Sequence, residues 1–276
     1  MRKRAMTMKL KNWMAAVILF CCPLLLSSCF DTHPYDVNFK GELGINRKQI
    51  EVIQTKFADK DTLRVAFISD SHFWLSDLCD EVEDLNRRTD IDFVIHCGDL
   101  TQTGMAKEFE LSRDILLNLR YPFVVLIGNH DFLGTGAQSY EVMYGDIDFS
   151  FIAGGVKFVC LNTNATEYDY LAAVPNFDFM EQEMVRDSAL FDRTVLVIHA
   201  PPYSDQFNNN VCKAFRRYLD FFPNLFCCVY GHEHYDKVSD LYGDGLMFYA
   251  IDSANHRNYR IFTFTPDGYE QEQIFY

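Results

Sequence analysis

The sequence predicts an α/β fold organised around a largely parallel β-sheet. Short apolar runs of strand length alternate with amphipathic segments of helical periodicity, which is typical of βαβ units. The composition, 49% apolar and 23% charged over 276 residues, is ordinary for a globular protein and too apolar for a disordered one. That length accommodates one large domain or two small ones.

The first half of the chain carries the clearest alternation. Its apolar runs have the length of buried strands, and the segment 77–88 places Leu78, Val82 and Leu85 on one helical face. The predicted strands span residues 64–69, 93–97 and 123–127, and the predicted helices span residues 77–88 and 105–119. Strands that are joined through helices pair in parallel, so these three predict a parallel sheet.

The second half repeats the pattern less regularly. Strands are predicted at 156–161, 194–198 and 225–230, and helices at 178–189 and 211–221. Beyond His234 only strand-like pieces remain, separated by the hairpin signals Gly-Asp-Gly at 243–245 and Pro-Asp-Gly at 266–268. We therefore expect an antiparallel meander to complete the α/β core.

The N-terminal segment predicts an exported lipoprotein. A basic start precedes 14 uncharged residues, 13–26, which is the layout of a secretory signal and is short for a membrane span. The sequence Leu-Ser-Ser-Cys at 26–29 resembles the bacterial lipobox, so we predict that Cys29 is acylated. A plain signal peptide cut near Ser28 is the alternative. The predicted organisation is a signal peptide at 1–28, a tether and approach segment at 29–60, and one domain at 61–276.

These features predict a location and argue against one class of partner. We expect a lipid-anchored protein of the cell envelope, on the periplasmic or the surface side of a membrane. Residues 1–28 hold five basic and no acidic residues, so 20 basic and 39 acidic residues remain beyond them and the formal net charge there is −19. Such a chain repels polyanions, so no nucleic-acid partner is expected.

Polar residues recur where the predicted strands end. In open α/β sheets, ligands bind at the carboxyl ends of the strands. Five strand ends together offer carboxylate, imidazole and amide donors: Asp70, His72, Asp99, Asn129, His199, His232 and His234. These are too many for one ion, whereas a pair of ions about 3.5–4 Å apart and bridged by one carboxylate uses them all. Without a thiolate, the set suits Mn²⁺, Fe or Zn²⁺ rather than Ca²⁺.

The order of these residues resembles that of the calcineurin-like metallophosphoesterases. Five blocks carry the resemblance: D-x-H at 70–72, G-D at 98–99, G-N-H-D at 128–131, a lone His at 199 and G-H-x-H at 231–234. The resemblance implies a four-layer αββα sandwich of two mixed β-sheets flanked by helices. It also implies a metal-dependent phosphoesterase that acts on a small-molecule phosphoester substrate.

The resemblance further implies a role for each residue. One metal would be held by Asp70, His72 and His234, the other by Asn129, His199 and His232, with Asp99 as the bridge. His130 would stabilise the transition state or protonate the leaving oxygen, and Asp131 would orient the His130 ring. A hydroxide between the metals would attack phosphorus in line, without a covalent enzyme intermediate.

Departures from other branches of the family narrow the expected activity. The segment after Asp99 lacks the Arg of protein serine/threonine phosphatases, and Gln102 stands where purple acid phosphatases place a Tyr. Only 42 residues follow His234, so the second domain of large 5′-nucleotidases is not expected. The run GDLTQTGMAKEFE at 98–110 is similar to the class III cyclic-nucleotide phosphodiesterase group, which favours a phosphodiesterase. A phosphomonoesterase of the same family is the alternative, and a non-catalytic metal-binding envelope lipoprotein is a further hypothesis.

Overall fold

A computed structural model describes residues 33, 35–168 and 172–276. The signal peptide predicted at 1–28 and the predicted acylation site Cys29 lie outside the described residues. Within the described part, no helix has the length and apolar character needed to cross a membrane. The fold reported below belongs to the compact unit Val37–Tyr276.

The described residues form eleven strands and seven α-helices, joined by short loops and 3₁₀ turns. The strands are β1 (Leu63–Ile68), β2 (Phe93–His96), β3 (Phe123–Val125), β4 (Phe149–Ala153), β5 (Val156–Leu161), β6 (Arg193–Ile198), β7 (Leu225–Tyr230), β8 (Lys237–Asp240), β9 (Met247–Ala250), β10 (Asn258–Thr265) and β11 (Gly268–Phe275). The helices are α1 (Ile45–Lys56), α2 (Leu75–Arg87), α3 (Ala106–Leu116), α4 (Gly136–Met143), α5 (Ala165–Tyr168), α6 (Phe177–Val185) and α7 (Cys212–Leu219).

Two mixed β-sheets form the centre of the fold. The first has the order β11-β10-β1-β2-β3, with β1, β2 and β3 parallel, and the second has the order β4-β5-β6-β7-β9-β8, with β5, β6, β7 and β9 parallel. Their facing side chains share one core, in which Phe93 of the first sheet meets Phe158 of the second edge to face at 5.4 Å between ring centroids. The predicted class of two mixed sheets is therefore confirmed.

Helices cover the outer face of each sheet. Leu78 of α2 and Phe109 of α3 pack with Ile68 on the first sheet, and Phe215 of α7 packs with Leu196 on the second. The central strands are thus buried on both faces, and burying each large apolar side chain contributes roughly 1.5–3 kcal/mol. This double coverage explains why these strands appear in the sequence as continuous apolar runs rather than as alternating ones.

Helix α1 lies in the segment that the sequence predicts as a tether and approach. Its residue Asn46 is buried beside the edge strand β3, where its side chain accepts a hydrogen bond from Val125 N (3.0 Å) and donates one to Val125 O (2.8 Å). Ile45 and Ile53 of the same helix are buried in the cores. The amide thus replaces a neighbouring strand at an edge that would otherwise be open. Residues 45–56 therefore belong to the folded body.

The C-terminal strands differ from the predicted meander. The two hairpins form as expected, β8 with β9 around residues 243–245 and β10 with β11 around residues 266–267. They join different sheets, however, because β9 pairs in parallel with β7 and β10 pairs antiparallel with β1. Each hairpin satisfies the backbone groups of a strand that lacked a neighbour on that side. The C-terminal region thus completes both sheets.

Asp148, which precedes β4, provides a test of the folded state by pH. Burial raises its pKa from 3.8 to about 6, although its carboxylate accepts hydrogen bonds from Asn162 N (2.7 Å) and Asn176 Nδ2 (3.3 Å). The folded chain therefore binds this proton more tightly than the unfolded chain, so ionisation lowers stability as the pH rises through this window, and the cost persists above it.

We expect Asp148→Asn to raise the free energy of unfolding by about 1–3 kcal/mol at about pH 7.5, because the substitution removes the buried charge. The gain in the free energy of unfolding should be much smaller at about pH 4, where the carboxyl of Asp148 in the folded natural protein is already protonated. Urea denaturation at both pH values measures the difference. An equal effect at the two pH values would contradict the assignment.

Candidate metal centre

The predicted ligand residues meet at the carboxyl edge that the two sheets share. Asp70 and His72 follow β1, Asp99 follows β2 and Asn129 follows β3, all in the first sheet. The second sheet contributes the remaining three from the ends of β6 and β7: His199, His232 and His234. All but the last two are at least nine-tenths buried. The structure therefore brings together all seven residues named from the sequence.

Asp70, His72 and His234, the first set, converge on one point. Their donor atoms, with one from Asp99, all lie within 4.8 Å of one another. The two imidazoles face each other with 3.0 Å between their Nε2 atoms, and Asp70 Oδ1 lies 3.2 Å from His234 Nε2. His72 Nδ1 donates to the carbonyl of Thr101 (3.0 Å), which leaves the lone pair of its Nε2 directed into the cluster. Such an arrangement requires a cation or a shared proton at its centre.

Asn129, His199 and His232, the second set, face one another beside the first. His199 Nδ1 donates to the carbonyl of Cys97 (2.8 Å), so its Nε2 faces Asn129 Oδ1, 3.1 Å away. The same amide oxygen lies 3.0 Å from His232 Nδ1. Donor atoms this close must share protons or a cation, and a divalent cation can take the place of the protons. The nitrogen and oxygen donors present therefore fit a metal such as Mn²⁺, Fe or Zn²⁺.

Asp99 connects the two sets through one oxygen atom. Its Oδ1 accepts a hydrogen bond from His130 N (2.9 Å), while Oδ2 lies 3.3 Å from His199 Nε2 and 3.5 Å from His72 Nε2. Asp70 also directs Oδ1 toward His234, but His232 N donates to both of its oxygens, to Oδ2 at 3.0 Å and to Oδ1 at 3.2 Å. In each carboxylate a backbone N–H fixes the group while one oxygen is directed into the cluster.

The charges of the site favour cation binding. Burial opposes ionisation of Asp70, but its hydrogen bonds to His234 and His72 hold its pKa well below the usual range. Burial likewise opposes protonation of His199, yet the charge of Asp99 raises its pKa to about 9. Within the described part of the chain, no Lys or Arg side chain hydrogen-bonds or ion-pairs with the seven residues. The buried negative charge is thus left for metal ions to neutralise.

The backbone at the site is unusual. Nine non-glycine residues of the described chain have φ in the left-handed region, and five of them are predicted ligands, with φ between 41° and 73°. These five are Asp70, His72, Asp99, His232 and His234. Such conformations cost of order 1–3 kcal/mol each and cluster at functional sites, because they aim side chains that regular structure cannot. Gly128 is required at its position because a Cβ there would lie 2.1 Å from Asp99 Oδ1.

His130 and Asp131 differ in their placement. His130 Nδ1 donates to the main-chain carbonyl of Gln102 (2.8 Å), and its ring meets the His72 ring edge to face at 4.7 Å. His130 is thus beside the first set, as predicted. The Asp131 carboxylate instead accepts from the backbone N–H groups of Leu100 (3.2 Å), Thr101 (2.9 Å) and Gly128 (3.0 Å), and from the Thr101 hydroxyl (2.8 Å).

The role predicted for Asp131 is therefore corrected. Among the described residues no hydrogen bond joins its carboxylate to the His130 ring, and the carbonyl of Gln102 orients that ring instead. His130 and Asp131 are consecutive in a 3₁₀ turn, where neighbouring side chains point about 120° apart. One faces the cleft and the other faces the protein interior. Asp131 holds the loop after β2 against the loop after β3.

We expect Asp131→Ala to lower the free energy of unfolding by about 2–5 kcal/mol, because it leaves three buried backbone N–H groups without their acceptor. The loss should appear in the metal-free protein as well, since it does not depend on a ligand. Guanidinium denaturation with and without a chelator measures it. Unchanged stability with lost activity would instead support the predicted partnership with His130.

Two contributors, Gln102 and Asp205, were not predicted from the sequence, and a third, His96, lies in strand β2. Gln102 orients His130 through its carbonyl (2.8 Å), and its side-chain Nε2 lies 3.3 Å from the same ring nitrogen. Asp205 lies 3.0 Å from His232 Nε2 but is a single acidic residue in a loop of no recognisable motif. His96 lies behind the ligands, and its pKa is lowered to about 4 by burial, so it is neutral. It accepts from Gly98 N (3.2 Å) and contacts Ser71 Oγ (3.1 Å), which stabilises two of the motif loops.

Comparison with known proteins agrees with this geometry. The sequence model described as calcineurin-like phosphoesterase matches residues 63–236, which hold all seven residues of the centre. The chain belongs to the calcineurin-like phosphoesterase family. The predicted family is thus confirmed.

Individual relatives of this calcineurin-like phosphoesterase are distant. A 3′,5′-cyclic-nucleotide phosphodiesterase from Nostoc sp. is 24% identical over 155 residues, which are 53% of this chain and 57% of the relative. Two solved structures share the fold at 13% identity. GAP50, the anchor in the inner membrane complex of Plasmodium, has a TM-score of 0.59 over 78% of this chain and 85% of its own. A dimetal phosphatase from Danio rerio has a TM-score of 0.54 over 78% of this chain and 99% of its own.

Proposed function

We propose that this calcineurin-like phosphoesterase is a phosphodiesterase that hydrolyses a small phosphoester with two metal ions. The observation that carries the proposal is the position of Asp99 Oδ2 between the imidazoles of His72 and His199. The first set would hold one ion and the second set the other, with this oxygen shared. When bound, the two ions supply charge for the phosphate and lower the pKa of a water that attacks phosphorus.

The chain's own residues would supply the remaining chemistry. The carbonyl of Gln102 fixes one proton of His130 on Nδ1. A second proton, carried on Nε2 in the imidazolium form, would be the one that hydrogen-bonds a phosphate oxygen or passes to the leaving oxygen. Asp99 Oδ1 and the backbone N–H of His130 are hydrogen-bonded, which ties the position of the imidazole to that of the bridging carboxylate. This link fixes His130 relative to Asp99, the residue that would bridge the ions.

The charge distribution supports a diester over a monoester. A phosphomonoester carries up to two negative charges, and enzymes that bind it commonly add Arg or Lys to the metals. Here the seven residues contact neither, and the exposed carboxylate of Asp205 adds a negative charge beside His232. A diester has one negative charge, which the ions alone can neutralise. The Nostoc relative, named as a cyclic-nucleotide phosphodiesterase, agrees with this preference.

A panel of phosphoesters tests the proposal. Purified metal-free protein is loaded with Mn²⁺, Fe²⁺ or Zn²⁺ and assayed with bis-p-nitrophenyl phosphate, p-nitrophenyl phosphate and 3′,5′-cyclic nucleotides. Faster hydrolysis of the diesters supports the proposal. Preference for p-nitrophenyl phosphate would establish the phosphomonoesterase instead. Two bound metals per chain without hydrolysis of any ester would favour the non-catalytic hypothesis.

We also propose that the protein is anchored in the cell envelope through an acylated Cys29. The support is the sequence alone, namely the basic start, the uncharged run and Leu-Ser-Ser-Cys. We expect Cys29→Ala to release the protein from the membrane fraction into the soluble envelope fraction after export. Cell fractionation with metabolic fatty-acid labelling measures both effects. Retention of the unlabelled variant in the membrane would contradict the anchor.

A further inference from the structure

We propose that Asp205 is a positioning residue that fixes His232 as an Nδ1 ligand of the second metal. The carboxylate oxygen Oδ1 of Asp205 lies 3.0 Å from His232 Nε2, on the side of the ring away from the cluster. Nδ1 of the same ring lies 3.0 Å from Asn129 Oδ1, inside the second set. The inference rests on the two-metal centre of the proposed function and adds a determinant of its second site.

The argument depends on where the single proton of a neutral imidazole resides. A carboxylate only accepts hydrogen bonds, so Asp205 favours the tautomer of His232 with its proton on Nε2. Asn129 Oδ1 is also an acceptor and faces Nδ1, so it favours the opposite tautomer. The hydrogen bond to the charged carboxylate is the stronger of the two, so Nδ1 carries the lone pair when Asp205 is present. Without Asp205 the amide oxygen would favour a proton on Nδ1, where the metal must bind. The hydrogen bond to Asp205 therefore disfavours the tautomer of His232 that has its proton on Nδ1.

His232 is unlike the other histidines of the centre. His72 and His199 each donate Nδ1–H to a main-chain carbonyl and present Nε2 to the cluster. His232 presents the opposite nitrogen and is oriented by a carboxylate. A carboxylate partner makes the imidazole a stronger donor to a metal than a carbonyl does, and its charge adds to the attraction for the cation. The second metal is therefore the one that depends on a charged outer partner.

Asp205 is exposed, so its position needs a separate explanation. Its side chain is 83% accessible, which by itself would leave the carboxylate free to rotate. The loop beneath it is held from two sides. Thr166 Oγ1 donates to Asp205 O (3.0 Å), and Ala165 N donates to the next carbonyl, Gln206 O (2.8 Å). Asn209 bonds to the backbone of Tyr203 (2.9 Å) and Ser204 (2.7 Å). The main chain at 203–206 is thus fixed where the carboxylate meets the ring.

Two variants of Asp205 and a matched control test the inference. Asp205→Ala removes the acceptor and the charge, Asp205→Asn removes the charge but retains a carbonyl oxygen, and Glu233→Gln removes a neighbouring charge. Glu233 is the matched control because it stands between two ligands in sequence, yet its carboxylate bonds to Tyr235. Calorimetric titration of the metal-free proteins with Mn²⁺ and with Zn²⁺ gives the affinity of each site.

We expect Asp205→Ala to weaken one of the two sites by about 10–100-fold and to leave the other unchanged. Asp205→Asn should show a smaller loss, and Glu233→Gln should bind as the natural protein does. Unchanged affinities in Asp205→Ala would overturn the inference. An equal loss of affinity in Glu233→Gln would also overturn the inference, because the effect would then come from the total negative charge near the site rather than from the bond to His232.

A second measurement needs no metal. Side-chain ¹⁵N spectra of the metal-free protein report which nitrogen of His232 carries the proton. We expect the Nε2–H form in the natural protein and in Glu233→Gln, and a shift toward the Nδ1–H form in Asp205→Ala, where Asn129 Oδ1 is the remaining acceptor. An Nδ1–H form in the natural protein would overturn the inference. Failure of the ester panel would contradict the proposed function while leaving both of these results interpretable.

Discussion

Replacing Asp99 with Ala is expected to empty both metal sites at once. The oxygen that the substitution removes lies 3.3 Å from His199 Nε2 in one set and 3.5 Å from His72 Nε2 in the other. Each set would retain three donors, but the negative charge between two cations roughly 3.5–4 Å apart would be gone. Their repulsion would then act without compensation. Hydrolysis should fall by on the order of 10³-fold or more, because bound metals contribute several kcal/mol of transition-state stabilisation.

Elemental analysis after gel filtration measures the metal content directly. Asp252→Asn is a matched control, because Asp252 follows β9 at the same sheet edge and bonds to His256 (2.7 Å) and Asn258 (2.9 Å) but to none of the seven residues. This control should retain two metals per chain. Asp99→Asn should lose less than Asp99→Ala, because it keeps an oxygen for His130 N. Two metals retained per chain in Asp99→Ala would refute the bridging role.

Replacing His130 with Ala should have the opposite signature, with metals retained and turnover lost. Its ring nitrogens contact no described ligand atom within hydrogen-bond distance, and Nδ1 is bonded to Gln102 O. The backbone N–H that holds Asp99 Oδ1 survives the substitution. Loss of a positioned proton donor costs about 10²–10⁴-fold in rate. The effect should lie mainly in kcat, because the ions still bind the phosphate.

Esters with different leaving groups can distinguish proton donation by His130 from phosphate binding by His130. An alkoxide must be protonated as it departs, whereas p-nitrophenolate departs readily without a proton. We therefore expect a larger loss for alkyl esters than for p-nitrophenyl esters. Gln102→Ala is a graded control, since it keeps the carbonyl that orients the ring and removes only the side-chain amide, whose Nε2 lies 3.3 Å from His130 Nδ1. It should cost far less than His130→Ala. Equal losses for the two kinds of ester would leave His130 as a binder of phosphate rather than a proton donor.

Much of the fold was predictable because its central strands are buried on both faces. The runs that form β1, β2, β5, β6 and β7 are continuous and apolar, and each was predicted to within about a residue of its observed bounds. Helix α1 was missed for a physical reason. Its register depends on Asn46 bonding to Val125, a contact between residues 79 apart that leaves no local pattern. The pairing of β9 with β7 rather than with β10 likewise depends on the sheet as a whole.

The site was predictable to the extent that its chemistry is local. Short motifs at strand ends carry all seven predicted ligands, because the backbone that aims them is set by a few neighbouring residues. The function of Asp131 was not predictable in this way. Proximity in sequence associated it with His130, whereas the 3₁₀ turn directs the two side chains apart. Asp205 was not predicted because its contact with His232, 27 residues further along the chain, forms only in the folded structure.

Because each sheet contributes part of the metal centre, metal binding reports whether the two sheets have docked. Asp70 and His72 come from the first sheet, and His234, which must join them, comes 162 residues after His72 from the second. A nascent or partly folded chain therefore cannot complete either ion's coordination, whatever the local concentration of metal. In a preparation saturated with metal, the metal-to-protein ratio therefore gives the fraction of molecules in which both sheets have docked, and its rise during refolding reports a late folding step.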